Sequence, residues 1–221
     1  AGQYFGEFSR ERHVIEPFEI PRSWRRFRSM DWGYNDPCAV LWFAVSPGGR
    51  VYAYREYYER QVLSSETARR IRQSTGDEKI AYTVASPDAW QNRGMSASGD
   101  VSGMSIAEVF AHGGVPLLRA DNARIPGWQR VREYLGCGDD GQPKLLIFRN
   151  CENLIRTLPA LTFDEHFVED VGARCEDHAP EALRYGLMSR PSAVSEPKKP
   201  KARAYDPFAS GETLADGFTR L

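Results

Sequence analysis

The longest unbroken apolar run in this chain, AVLWFAV at residues 39–45, has the length and composition of a buried strand. Asn35, Asp36 and Pro37 precede it as turn formers, and Pro47-Gly48-Gly49 follows it as a hairpin turn. VYAYREYY at 51–58 then alternates as a returning strand, and the residues before Asp31 read as a strand leading in. The first three strands therefore form an antiparallel meander. Further along, the pattern switches to helices alternating with strands. Helices are expected near 65–73, from 106, at 127–135, at 153–161 and at 177–188. Strands are expected at 80–86, 115–120 and 144–148. Antiparallel strands followed by helix–strand alternation predict one mixed sheet covered by helices, an α/β domain.

Three stretches fall outside this pattern. Residues 1–26 end in the basic aromatic cluster RSWRRF and read as a connecting arm. The segment 92–105 is a Gly/Ser-rich loop. Residues 191–221 are rich in Pro, Ala, Ser and Lys without apolar periodicity and read as a flexible tail. The expected domain thus covers 27–190. The chain opens at Ala1 rather than Met, which points to a piece of a longer protein.

Composition changes the picture little. With 221 residues and a formal net charge of -1, the chain can build a sizeable core. It lacks the basic excess of a protein that coats nucleic acid, but an enzyme gripping DNA in one local groove remains compatible. Cys38, Cys137, Cys151 and Cys175 include no C-x-x-C pair, so a reducing, cytoplasmic setting is the simpler expectation. No apolar run is long enough to span a membrane. No G-x-x-x-x-G-K-[ST] phosphate loop is present, so this chain is not expected to hydrolyse ATP.

Three acids carry the candidate chemistry: Asp31 at the end of the first strand, Asp88 just after the fourth, and Asp177 at the start of the last helix. Carboxylates at the ends of strands on one sheet edge converge, and a helix across that edge adds another. Such a cluster repels itself unless hard cations such as Mg²⁺ or Mn²⁺ sit in it. Each acid also has an ordinary use. Asp31 can begin a turn, Asp88 can cap a loop, and Asp177 can favour a helix N-terminus by about 0.3–1 kcal/mol. Spacing alone does not decide between these uses. Glu56 can face the cluster or solvent, and Trp90 and Trp128 read as core aromatics.

Order and wording of the motifs do decide. SMDWGYNDPCAV with the hairpin ending in YREYYE, then VASPDAWQNRG, SIAEVFAHGGVPL, ADNARIPGWQRVREYL, NCENLIRTLPAL and EDHAPEALRYGL resemble, in order, the nuclease domain of tailed-phage terminase large subunits. The resemblance covers residues 27–190. It implies an RNase H-like fold and a metal-dependent endonuclease that cuts concatemeric viral double-stranded DNA during packaging, with a two-metal site of Mg²⁺ or Mn²⁺. Asp31, Asp88 and Asp177 would be the catalytic acids and metal ligands.

The family's last helix usually reads D-H-x-x-D-A-L-R-Y, and here Glu181 stands where an Asp is usual. Asp177 and Glu181, spaced i, i+4, share a helix face, so Glu181 is either a further ligand or a surface acid. His178 points about 100° away from Asp177 by helical geometry, which favours a packing or hydrogen-bonding role. Arg93, Arg119, Arg124 and Arg130 lie where the resemblance places DNA contacts, though each also reads as a solvated charge. The resemblance further implies an ATPase domain upstream, the portal protein and small terminase subunit as partners, and a full-length ring oligomer with a monomeric isolated domain. The setting would be the cytoplasm of an infected bacterium. The alternatives are a portal- or motor-docking module with little cutting of its own, or another RNase H-like enzyme such as a junction resolvase.

Overall fold

The computed structural model describes residues 2–91 and 103–190. Its centre is a seven-stranded mixed sheet of β1 (Val14–Ile15), β2 (Arg25–Asp31), β3 (Cys38–Val45), β4 (Val51–Glu59), β5 (Ile80–Ala85), β6 (Leu118–Arg119) and β7 (Leu145–Phe148), in the order β1-β7-β4-β3-β2-β5-β6. β2, β3 and β4 form the expected antiparallel meander, with Phe27 opposite Phe43 and Leu41 opposite Glu56. The other neighbours pair in parallel, β5 against β2 and β7 against β4 among them.

β3 is buried on both faces, which is why its sequence runs apolar without alternation. Its side chains still divide with a period of two. Ala39, Leu41 and Phe43 join one core with Phe27, Trp128, Leu183 and Leu187. Val40, Trp42 and Ala44 join the other with Met30, Ile71 and Phe110. Helices α4 (Arg124–Leu135), α5 (Glu152–Thr157) and α6 (His178–Met188) supply the first core, and α2 (Ser64–Thr75) and α3 (Ile106–His112) the second. Full burial of a side chain such as Phe43 contributes about 1.5–3 kcal/mol.

Local chemistry sets the helix ends. Ser105 and Glu108 form a reciprocal capping box that starts α3. α2 buries Thr67, Ala68 and Ile71, one helical stripe. α4 begins at Arg124, three residues before its expected start, because Pro126 falls in the first turn, where a missing N–H costs no helical bond. The strand expected over 115–120 is only Leu118–Arg119.

One boundary differs clearly from the sequence reading. The segment expected as a connecting arm is part of the domain. Tyr4, Phe5 and Phe8 are core residues, α1 (Arg10–His13) is capped by Ser9, and β1 extends the sheet beside β7. Apolar residues among the first eight explain this, since leaving three aromatics in water forfeits several kcal/mol of burial. The expected tail, 191–221, lies outside the described residues.

α6 lies directly on the sheet. A Cβ at Gly186 would stand 2.7 Å from Phe43 Cε2 and 3.1 Å from Ser29 Oγ, so only glycine permits this approach. Ser29 Oγ donates to the Ala182 carbonyl at 2.5 Å. These contacts fix where the N-terminus of α6, with Asp177 and His178, meets the end of β2.

Candidate functional site

β2 and β5 run parallel, and Met30 pairs with Ala85 at their carboxyl ends. Asp31 is the last residue of β2, and Asp88 lies in the 3₁₀ turn Pro87–Trp90 immediately after β5. Ser86 N donates to the Met30 carbonyl, which ties the two exits together. Asp177 occupies the N-cap position of α6, yet its side chain makes no cap hydrogen bond, so helix capping does not explain it. Its backbone oxygen accepts from Glu181 N at 2.6 Å.

His178 Nδ1 stands 3.0 Å from Asp31 Oδ2. Of the packing and hydrogen-bonding roles expected for His178, the second is seen, but its partner is not legible from helix geometry, because Asp31 lies 147 residues away on another element. Burial pushes the Asp31 carboxyl up to about 6; the His178 hydrogen bond opposes this, and the charges of Glu181 and Asp177 add to it. The Asp31 hydrogen bond raises His178 above its ordinary value, against burial. Tyr185 is raised first by burial, then by Glu181, Asp31 and Asp88, so its ring lies within the field of three acids. Its hydroxyl donates to Asn122 Oδ1.

Glu181 is not a surface acid. It is 6% exposed, with Oε1 accepting from Arg124 Nη1 at 2.6 Å and Oε2 from Arg184 Nε at 2.7 Å. Both oxygens thus accept from arginines. Arg184 is itself 1% exposed, and a buried guanidinium requires such an anion. The Arg124 guanidinium also takes both oxygens of Asp170 and stands 3.7 Å from Asp177. Asp170 in turn accepts from Trp128 Nε1, whose ring is fully buried.

The remaining candidates separate. Arg119 is exposed on β6 with its guanidinium 5.2 Å from the Trp90 ring centroid. Arg130 is half-buried and 3.3 Å from Glu133. Arg93 lies outside the described residues. Glu56 is structural: its oxygens accept from Asn153 N, Asn153 Nδ2 and Leu154 N, capping the start of α5.

As donors, Asp31, Asp88 and Asp177 offer hard carboxylate oxygens, a chemistry that suits a hard divalent cation. Asp31 is engaged by His178 and Asp88 Oδ1 by Ser86 Oγ. With those bonds made, no group of three or more His, Cys, Asp or Glu side chains among the described residues stands close enough to hold a metal ion.

The chain matches no protein-family model and no curated protein in sequence. It is similar in structure to the large terminase nuclease domain of P22, with a TM-score of 0.67 and 19% identity over 85% of this chain and 92% of that one. The large terminase of a thermophilic bacteriophage, in complex with ADP, superposes with a TM-score of 0.68 at 18% identity over 85% of this chain. The match spans only 44% of that longer protein. The large terminase nuclease of another thermophilic phage, G20c, with bound zinc, matches at a TM-score of 0.52 and 14% identity, over 84% of this chain and 96% of its own. At such identities the likeness is one of fold: an RNase H-like mixed sheet flanked by helices.

Proposed function

We propose that this chain is a metal-dependent endonuclease that cuts concatemeric viral double-stranded DNA during genome packaging, by two-metal phosphodiester hydrolysis. The observation that carries the reading is the position of Asp31 and Asp88 at the carboxyl ends of two adjacent parallel strands, where α6 also delivers Asp177. The fold shared with phage large-terminase nuclease domains supports it.

In this reading Asp31, Asp88 and Asp177 hold Mg²⁺ or Mn²⁺. When bound, the cations supply Lewis acidity toward the oxygens of the scissile phosphodiester. The chain's own part is positioning. His178 fixes the orientation of Asp31 through its hydrogen bond. The Asp170–Arg124–Glu181–Arg184 network holds the first turn of α6 and with it Asp177. In the same reading Arg119, on the strand beside β5, and Arg130 contact backbone phosphates. Only a few such contacts are needed, which agrees with a net charge of -1. An upstream ATPase domain, the portal protein and the small terminase subunit are the proposed company of this domain.

Calorimetric titration with Mn²⁺ tests the acids. Asp31→Asn, Asp88→Asn and Asp177→Asn should each weaken binding at least tenfold, whereas Glu181→Gln should retain the wild-type stoichiometry. Equal Mn²⁺ affinity in all four variants would remove the site. A second reading is a portal- or motor-docking module with little cutting of its own. It predicts a folded chain that binds no Mn²⁺.

A further inference from the structure

Arg28 is a buried cation with no acid to match it. It lies in the middle of β2, 5% exposed, on the face of the sheet opposite α6. Its Nε donates to Thr83 Oγ1 at 3.0 Å and its Nη1 to Thr75 Oγ1 at 2.8 Å, both neutral acceptors. Nη2 has no hydrogen-bond partner among the described residues. The nearest carboxylate, Glu78, is already taken on both oxygens, by Arg55 at 2.7 Å and by the Tyr54 hydroxyl at 2.6 Å. Burial accordingly pulls the Arg28 guanidinium down to about 10, against the attraction of Tyr54 and Glu78.

The unmatched charge opens onto space. Arg28 lines a cavity of about 300 Å³ with Arg72, Thr75, Gly76, Thr83 and Gly114. Arg72 reaches across from α2 over Gly114, where a Cβ would come 3.2 Å from its Nη1, and it has no acidic partner among the described residues. Two guanidiniums, Arg28 and Arg72, and the carboxylate of Glu78 line the cavity, and Arg55 holds that carboxylate from outside it. A desolvated charge excess of this kind is costly unless an anion completes it.

We infer that this cavity is an oxyanion site that binds a phosphate group between Arg28 and Arg72. Two guanidiniums on one cavity are a donor set that fits the oxygens of a phosphate group. Arg28 supplies the desolvated, preoriented donor, and Arg72 closes over the ligand from the surface. The phosphate group could come from free inorganic phosphate or from a DNA backbone, and the chemistry of recognition is the same. Being on the opposite sheet face from Asp31 and α6, the site is separate from the acidic edge.

Thermal unfolding and calorimetry of the 221-residue chain with inorganic phosphate test the assignment, using chloride at matched ionic strength as the control. Phosphate should raise Tm by mass action, and Arg72→Ala, at an exposed position, should weaken phosphate binding about tenfold. Arg28→Met should lose the phosphate response while unfolding no lower than wild type in chloride, since it removes an uncompensated cation. Should Arg28→Met not fold, Arg72→Ala carries the test alone. A labelled duplex in EDTA separates the sources. Competition by inorganic phosphate, with weaker duplex binding by Arg72→Ala, assigns a DNA phosphate; unchanged duplex binding assigns the free ion. No phosphate effect beyond chloride, or a full effect retained in Arg72→Ala, overturns the site.

Discussion

Arg124 donates to Asp170 at 2.7 Å and to Glu181 at 2.6 Å, so one guanidinium at the start of α4 ties a loop acid to the first turn of α6. Burial lowers its proton affinity, but Glu181, Asp170 and Asp177 together outweigh burial and leave it raised. Glu181 thus serves the fold on behalf of the site: it neutralises two arginines and keeps Asp177 in place.

From this follows a stability prediction. Glu181→Ala leaves Arg184, 1% exposed, without its anion, and breaking a buried pair in this way costs about 3–5 kcal/mol. Urea unfolding should show that loss. The double variant Glu181→Leu/Arg184→Met, which removes both charges, should recover most of it. A Glu181→Ala variant within about 1 kcal/mol of wild type would mean that the network carries no weight.

Gly186 sets the distance of α6 from the sheet. Gly186→Ala places a methyl 2.7 Å from the Phe43 ring, and overpacking of this kind costs about 1–3 kcal/mol. Because α6 carries Asp177 and His178, the same variant should also slow cutting. Unfolding curves and plasmid cleavage measured side by side check both effects.

Acid stability has a definite sign at Glu176. The Arg156 hydrogen bonds, then Tyr58, hold its carboxyl down to about 2, against an ordinary value of 4.5. A carboxyl depressed in the folded state stabilises above the unfolded value and loses that contribution as pH falls from about 4.5 to 2. Glu176→Gln should therefore be less stable than wild type at pH 7 and converge with it near pH 2. The gap is small and shrinks with salt, since the pair is solvent-exposed. A gap independent of pH would assign the effect to something other than charge.

Arg119 gives a test of the DNA reading. Arg119→Ala should weaken duplex binding in EDTA at all sequences and lower the slope of log K against log salt by about 1, as expected for one lost phosphate contact. An unchanged slope returns Arg119 to a solvated charge stacked on Trp90.

Much of this architecture is written locally in the sequence. The β2–β3–β4 meander is legible because the continuous run of β3 and the turn formers flanking it act over a few residues. β1 is not, because two half-buried residues carry no periodic signal and their strand exists only through β7, over 130 residues away. The placement of Asp31 and Asp88 on one edge follows from strand order. The partners of Arg124 and Glu181 do not: Asp170 lies 46 residues from Arg124, on an irregular loop. Only the i, i+3 spacing of Glu181 and Arg184 hinted that this acid had a basic partner on its own helix.

The most direct test of the nuclease reading is cleavage of supercoiled plasmid by the purified chain with Mg²⁺, Mn²⁺ or EDTA, beside Asp88→Asn. The account predicts metal-dependent loss of the supercoiled form, abolished by EDTA and by the variant, with the variant's unfolding curve unchanged. Cleavage that persists in Asp88→Asn, or no cleavage by wild type with either metal, would contradict it.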